Sequence, residues 1–181
     1  MKEFIETERL ILRKFHLSDV ESLFELDSNV EVHRYLGNNP MQTIDQAKDI
    51  IEILQLQYSE NNIGRWATIE KATGHFIGWS GLKLVKETWN NHTNYFDVGY
   101  RFIPKYWGKG YATESTVAAL EYGFENLKAT EIIGSANIEN KASRRVLEKC
   151  GLKFIENFYW KDIKCDWLNI TYEEWAKQQN K

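Results

Sequence analysis

The sequence predicts an α+β domain, a mixed α/β fold with a mostly antiparallel sheet flanked by about four helices. Three observations predict it. Strand-like runs follow one another in mid-chain, at 65–70, 75–85 and 95–103. Helix-like and strand-like segments then alternate to the end. No repeat, low-complexity tract or Pro/Gly/Ser-rich linker divides the 181 residues, so residues 1–181 read as a single domain.

The elements follow in order. "RLILRKF" (9–15) reads as a strand. Ser18 and Glu21 have capping-box spacing ahead of Val20, Leu23 and Phe24, which predicts a first helix. Gly37 to Pro40 is a turn, and Thr43 with Gln46 forms a second capping box. Ile44, Ala47, Ile51, Leu54 and Tyr58 then recur at helical spacing until "ENNIG". The β-rich runs at 65–70, 75–85 and 95–103 are separated by "KATG" and "WNNHTN", the pattern of an antiparallel meander that Pro104 stops. Residues 112–127 carry Val117, Leu120, Phe124 and Leu127 on one helical face. "EIIGSA" (131–136) is a short buried strand, and Asn140–Cys150 a helix that Gly151 ends. "KFIENFYW" and "CDWLNITY" close the chain as strands.

Composition excludes several classes. A net charge of −3 and a pI near 5.9 do not supply the cationic surface that nucleic acid requires, so no nucleic-acid partner is expected. No apolar run reaches the length of a membrane span, and "MKEFIETERL" lacks the apolar stretch of a signal peptide. A cytoplasmic protein with no membrane partner is the expectation. Cys150 and Cys165 form no CxxC, and no Cys/His cluster has zinc spacing; reduced thiols and no metal are expected. His16, His33, His75 and His92 have no motif spacing and take no role. The seven tryptophans fill a core or line a cleft.

"KYWGKGYATEST" (105–116) sets two glycines and a lysine just ahead of a helix. The first N–H groups of a helix have no internal partner, and its dipole favours an anion there. Gly108 and Gly110 permit positive φ and close backbone approach, while Lys109 adds a cation. A pyrophosphate suits such a loop; a structural turn is the bland alternative. Walker A mechanics fail because Gly110 follows the lysine, and the third glycine of a dinucleotide fingerprint is replaced by Thr113.

"KYWGKGYATE" resembles the acyl-CoA pyrophosphate loop of the GCN5-related N-acetyltransferase (GNAT) superfamily, Q/R-x-x-G-x-G/A, with Lys105 at its first position. "TERLILRKFHLSDVESLFEL", "FDVGYRFIPKYWGKGYATEST" and "NIENKASRRVLEKCGLKF" are similar, in that order, to blocks of its ribosomal-protein N-terminal (alanine/serine) acetyltransferase branch, across about residues 7 to 158. The resemblance implies a sheet splayed between its fourth strand (95–103) and fifth strand (131–136), with acetyl-CoA as co-substrate in the gap. It implies that backbone groups of Phe102 and Ile103 meet the pantetheine arm. The amides of Gly108, Lys109, Gly110, Tyr111, Ala112 and Thr113 would hold the pyrophosphate. Asn140 would bond the pantetheine or nearby backbone; as an N-cap it would do the latter alone. Arg144 and Arg145 read as a solvated face or as contacts to the 3′-phosphate.

The implied reaction is attack of a neutral amine on the acetyl thioester. Asp97 is the candidate base, with a structural ion pair as the competing role. Ser143 is the candidate acid, because Leu147 stands where many relatives carry a tyrosine. The acceptor implied is a protein or peptide N-terminal amine. Phe24, Tyr35, Trp66, Trp79, Trp89, Tyr159, Trp160 and Trp167 would wall its groove. A polyamine or aminoglycoside acceptor, and a non-catalytic acyl-CoA-binding module, are the alternatives. A monomer or homodimer is expected.

Overall fold

The computed structural model describes residues 4–179. Strand β1 (Phe4–Glu6) pairs with β2 (Leu10–Arg13), and three helices follow: α1 (Val20–Asp27), α2 (Val30–His33) and α3 (Ile44–Asn61). The meander is β3 (Trp66–Glu70), β4 (Phe76–Val85) and β5 (Tyr95–Phe102). Then come α4 (Tyr111–Glu125), β6 (Glu131–Asn137), α5 (Lys141–Lys149), β7 (Lys153–Trp160), β8 (Ile163–Thr171) and α6 (Tyr172–Gln179). One eight-stranded sheet has the order β1-β2-β3-β4-β5-β6-β8-β7. Every neighbouring pair is antiparallel except β5–β6, which is parallel.

The predicted elements are present, with four differences, of which the first is the one-turn helix α2, absent from the expected order. Strand β1 precedes the expected first strand, so the expected fourth and fifth strands are β5 and β6. Helix α6 follows the last strand; Thr171 and Glu174 form its capping box, with the Thr171 N–H donating to Glu174 Oε2 at 3.1 Å and the Glu174 N–H to Thr171 Oγ1 at 3.3 Å. The Ser18–Glu21 capping box is not formed. A 3-10 turn at Leu17–Asp19 opens α1 instead. There the Asp19 carboxylate accepts from the His16 N–H at 2.8 Å and from both Arg13 Nη atoms at 2.7 and 2.8 Å. A buried carboxylate that can pair with a guanidinium outcompetes an exposed serine. The second expected box does form, with Gln46 Oε1 accepting from the Thr43 N–H at 3.1 Å.

Side-chain alternation along β5 assigns the two faces of the sheet. Tyr100 reaches α5, whereas Arg101 reaches α1. Helices α4 and α5 therefore cover one face, and α1–α3 the other. Leu82, Val98, Ala119, Leu120, Phe124 and Ile132 belong to the principal core, where burying one such large side chain contributes about 1.5–3 kcal/mol. Helix α4 lies close on the sheet because residue 123 has no side chain. A Cβ there would come within 2.6 Å of Ile132 Cδ1 and 2.8 Å of Leu82 Cδ1. In an open helix Gly→Ala stabilises by about 1 kcal/mol. Here overpacking outweighs that gain, and Gly123→Ala is expected to lower stability by about 1–2 kcal/mol. Urea unfolding checks it; a raised midpoint would show that α4 does not sit this close.

Candidate active site

The parallel ladder between β5 and β6 is short. It joins Phe96, Val98 and the residue between them to Ile132–Gly134, and stops there. Beyond it β5 stays paired with β4 as far as Phe102, while β6 stays paired with β8 as far as Asn137. The two strands therefore part, leaving a gap bordered by Gly99–Phe102 and Ser135–Asn137. The Ile103 N–H donates to Ile77 O at 3.0 Å, on the β4 side, and Ile103 O accepts from the Tyr106 N–H at 2.9 Å. Both backbone groups of Ile103, expected to meet the pantetheine arm, are thus engaged within the protein. Alternation along the antiparallel ladder turns the backbone of Tyr100 and Phe102 toward the gap instead. The Phe102 carbonyl is engaged by Trp107 Nε1–H at 2.6 Å, which leaves its N–H for a ligand.

At the open end of the gap lies the glycine loop. Gly108 (φ +73°) and Gly110 (φ +84°) both have left-handed backbone, and Gly110 is the residue before α4. The first helical bond runs from the Glu114 N–H to Gly110 O at 3.0 Å. Among the described residues, no group accepts a hydrogen bond from the N–H of Gly108, Lys109, Gly110, Tyr111, Ala112 or Thr113. A run of unpartnered donors ahead of a helix is of the kind that suits a diphosphate.

The loop is pinned from the far side of the sequence. Arg9 Nη1 donates to Lys109 O at 2.9 Å. Glu114 holds Arg9 through an ion pair at 2.6 Å and through its backbone N–H at 2.8 Å, and accepts from Thr7 Oγ1 at 2.6 Å. Neither Arg9 nor Glu114 stood out in the sequence, because they lie 105 residues apart. Burial pushes the Glu114 carboxyl up, but the bonds from Thr7 and Arg9 outweigh it and hold the group below the ordinary 4.5. A lowered folded value means that the stabilisation is complete above pH 4.5 and is lost as pH falls through the folded value. Glu114→Gln is expected to cost about 1–3 kcal/mol at pH 7 and to loosen the loop. The wild-type advantage in urea should shrink below pH 4.5; an advantage constant to pH 3 would contradict it.

Asn140 caps α5, its Oδ1 accepting from the Ser143 N–H at 3.0 Å. Arg144 pairs with Glu148 and Asp166, at 2.9 and 3.1 Å, while Arg145 is exposed. Ser143 meets a partner the sequence did not suggest. The Tyr100 hydroxyl donates to Ser143 O at 3.1 Å and lies 3.0 Å from Ser143 Oγ. This bond bridges β5 and α5, and burial raises the Tyr100 phenol well above its usual value. Strand alternation, which sets Tyr100 opposite Asp97, was the available signal. Leu147 is buried in the core.

On the opposite face, Asp97 is engaged by Arg65. Arg65 Nη2 donates to Asp97 Oδ2, and Nη1 donates to Asp97 O at 2.6 Å and to Gly81 O. Both side chains are largely buried. The pair with Arg65 is the structural role expected for Asp97 as the alternative to a base. Arg101, two residues along, pairs with buried Asp27 of α1 at 2.5 Å. Trp79 lies beneath both guanidinium groups, 5.4 and 5.1 Å from its ring centroid. Arg65, Arg101, Asp27 and Trp79 line a cavity of about 500 Å³ with His33, Asp49 and Met41. Of the expected aromatic wall, Trp79 lines this cavity, whereas Trp66 and Trp167 are buried in the cores. A larger groove, about 920 Å³, lies between β1 and α4; none of its lining residues belongs to β5, β6, α5 or the glycine loop.

A parted sheet with unpartnered amides at the mouth of the gap offers a slot for an elongated ligand that ends in phosphates. Residues 9–153 match the family model described as the acetyltransferase (GNAT) domain. The chain belongs to the GNAT family and is an acetyl-CoA-dependent N-acetyltransferase. It is 33% identical over 153 residues to the uncharacterized N-acetyltransferase YoaA of Bacillus subtilis, covering 84% of each chain. It is 32% identical over 190 residues to the FsC-acetyl coenzyme A-N(2)-transacetylase of Aspergillus fumigatus, covering 97% of this chain and 79% of that one. Among solved structures, a GNAT-family acetyltransferase from Bacillus anthracis superposes with a TM-score of 0.78 at 27% identity, covering 94% of this chain and 99% of that one.

Proposed function

We propose that this enzyme moves the acetyl group of acetyl-CoA to the N-terminal amine of a protein or peptide, as the ribosomal-protein branch it resembles would. Charge in the cavity beside β5 supports this acceptor. Arg101 is matched there by Asp27 and Arg65 by Asp97, so Asp49 is the one carboxylate of the lining without a counter-charge among the described residues, enough for a single cation. A polyamine or aminoglycoside carries several cations and needs a surplus of carboxylates. A peptide terminus carries one cation on a polar backbone and does not.

In this reading the amides from Gly108 to Thr113 cradle the pyrophosphate, and the gap-facing backbone of Tyr100 and Phe102 meets the pantetheine arm. Asn140 orders the start of α5. Ser143 and Tyr100 sit where the thiolate departs, and their shared hydrogen bond gives that proton a route. Asp97 holds Arg65 in place. Two buried free cysteines, Cys150 and Cys165, suit a cytoplasmic setting.

The test is an acceptor screen read by a mass gain of about 42 Da, the difference between an acetyl group and the hydrogen it replaces, alongside release of free CoA. Seryl and alanyl peptides are expected to be modified at the α-amine. Modification of spermidine or an aminoglycoside, with the peptides unmodified, would transfer the assignment to a small-molecule acetyltransferase. Acetyl-CoA binding without turnover of any amine would leave a binding module.

A further inference from the structure

Trp107 stands between the end of β5 and the first glycine of the loop. At 49% exposure it is the most exposed of the seven tryptophans. Its indole is nevertheless fixed, because Nε1–H donates to the Phe102 carbonyl at 2.6 Å. That carbonyl lies on the gap side of β5. The neighbouring Ile103 N–H is engaged by Ile77 of β4, and successive residues of a strand point their backbone groups to opposite edges. The bond therefore holds the indole against the border of the gap.

Large aromatic side chains are normally packed, and this one is held by one edge alone. Among the described residues no ring or cation stacks on it. Its neighbours in the chain offer no comparable surface. Ile103 and Tyr106 are buried, Pro104 is half-buried, and the Lys105 ammonium lies over the Tyr106 ring at 5.1 Å. Trp107 is thus the exposed apolar surface between the Phe102 N–H and the loop amides. The space beside it is open, since a Cβ on Gly108 would meet nothing within 4 Å.

We propose that the Trp107 indole is the apolar wall on which the pantetheine arm of acetyl-CoA packs as it passes from the loop to β5. The proposal rests on the carrier reading above, in which the amides from Gly108 to Thr113 take the diphosphate and the Phe102 backbone meets the arm. A ligand that reaches both crosses residues 103–107, and the indole is the surface it meets there. The chemistry of the arm matches. Next to the diphosphate it carries a carbon with two methyl groups, an apolar bulge that gains by leaving water. An indole fixed before binding covers that bulge with little loss of side-chain freedom. The Nε1–H bond has a second effect. It occupies the Phe102 carbonyl, so the N–H is the backbone group of Phe102 left to the arm, and it selects an amide carbonyl there.

The experiment separates a wall from a brace of the loop. Calorimetry on the full chain compares acetyl-CoA with ADP, which has a diphosphate and no arm, in wild type, Trp107→Ala and Trp107→Phe. ADP is read by its competition with acetyl-CoA. Trp107→Ala is expected to weaken acetyl-CoA by about tenfold or more, or about 1.4 kcal/mol, and ADP by less than about threefold. Trp107→Phe keeps a ring, loses the N–H bond, and is expected to fall between. Acetyl-CoA affinity within about threefold of wild type in Trp107→Ala would overturn the proposal. So would an equal loss for both ligands, which would make Trp107 a brace. In wild-type protein the Trp107 indole N–H resonance is followed by NMR. It is expected to shift on adding acetyl-CoA and to stay near its place on adding ADP; a resonance that acetyl-CoA leaves unmoved would overturn the proposal. If acetyl-CoA binds while the amide resonances from Gly108 to Thr113 stay still, the carrier reading itself fails, and the proposal with it.

Discussion

Gly110→Trp is expected to abolish acetyl-CoA binding while leaving the fold in place. Residue 110 has φ +84°, a backbone that L side chains adopt at a cost of about 1–2 kcal/mol. That cost is small beside the stability of a typical domain. The steric effect is larger. Residue 110 is exposed and stands among the unpartnered amides from Gly108 to Thr113, and a Cβ on it would already lie 3.3 Å from Arg9 Nη2. An indole there crowds the approach to those donors and displaces Arg9 from Lys109 O. Calorimetry should show affinity for acetyl-CoA lowered by at least about 100-fold, or about 2.7 kcal/mol, with a far-UV spectrum like that of wild type. Wild-type affinity in the variant would remove the loop from the binding site and leave its glycines as a turn.

Asp97→Asn is expected to be the most destabilising of the substitutions considered. It leaves the Arg65 guanidinium, 9% exposed as a residue, without its counter-charge. Breaking a buried pair by removing one partner costs about 3–5 kcal/mol. For a chain of this size that lowers Tm by about 10 °C, readable by calorimetry. Replacing the pair together, as Arg65→Met with Asp97→Leu, should recover much of the loss. Assayed below its melting transition, Asp97→Asn is expected to keep acetyl-CoA affinity and turnover within a few-fold of wild type. A folded variant with turnover lowered by 100-fold or more, and a changed pH–rate profile, would return Asp97 to the role of base.

What the sequence revealed and what it hid divide along a physical line. Local signals were legible. Thr43 and Gln46 marked the start of α3, Pro104 the end of the meander, and the Gly108–Gly110 spacing the entry to α4. Each depends on residues a few positions apart. Helix α6 was equally legible, since Thr171 and Glu174 have capping-box spacing, but the β-rich run before it masked the change of period. The candidate site was legible only on its carrier side. Tyr100 meets Ser143 across 43 positions, Arg65 meets Asp97 across 32, and Arg101 meets Asp27 across 74. Such partners are brought together by strand order, which composition and periodicity do not encode.

The short ladder between β5 and β6 has a mechanical consequence. Three consecutive residue pairs join them, so the sheet is two panels meeting at a brief seam, with the Tyr100–Ser143 bond as a clasp on one side. A molecule laid between the panels serves as mortar. Saturating acetyl-CoA should raise the melting temperature and slow amide exchange on both flanks of the seam together, whereas a nucleotide fragment that fills the loop alone should protect only the start of α4.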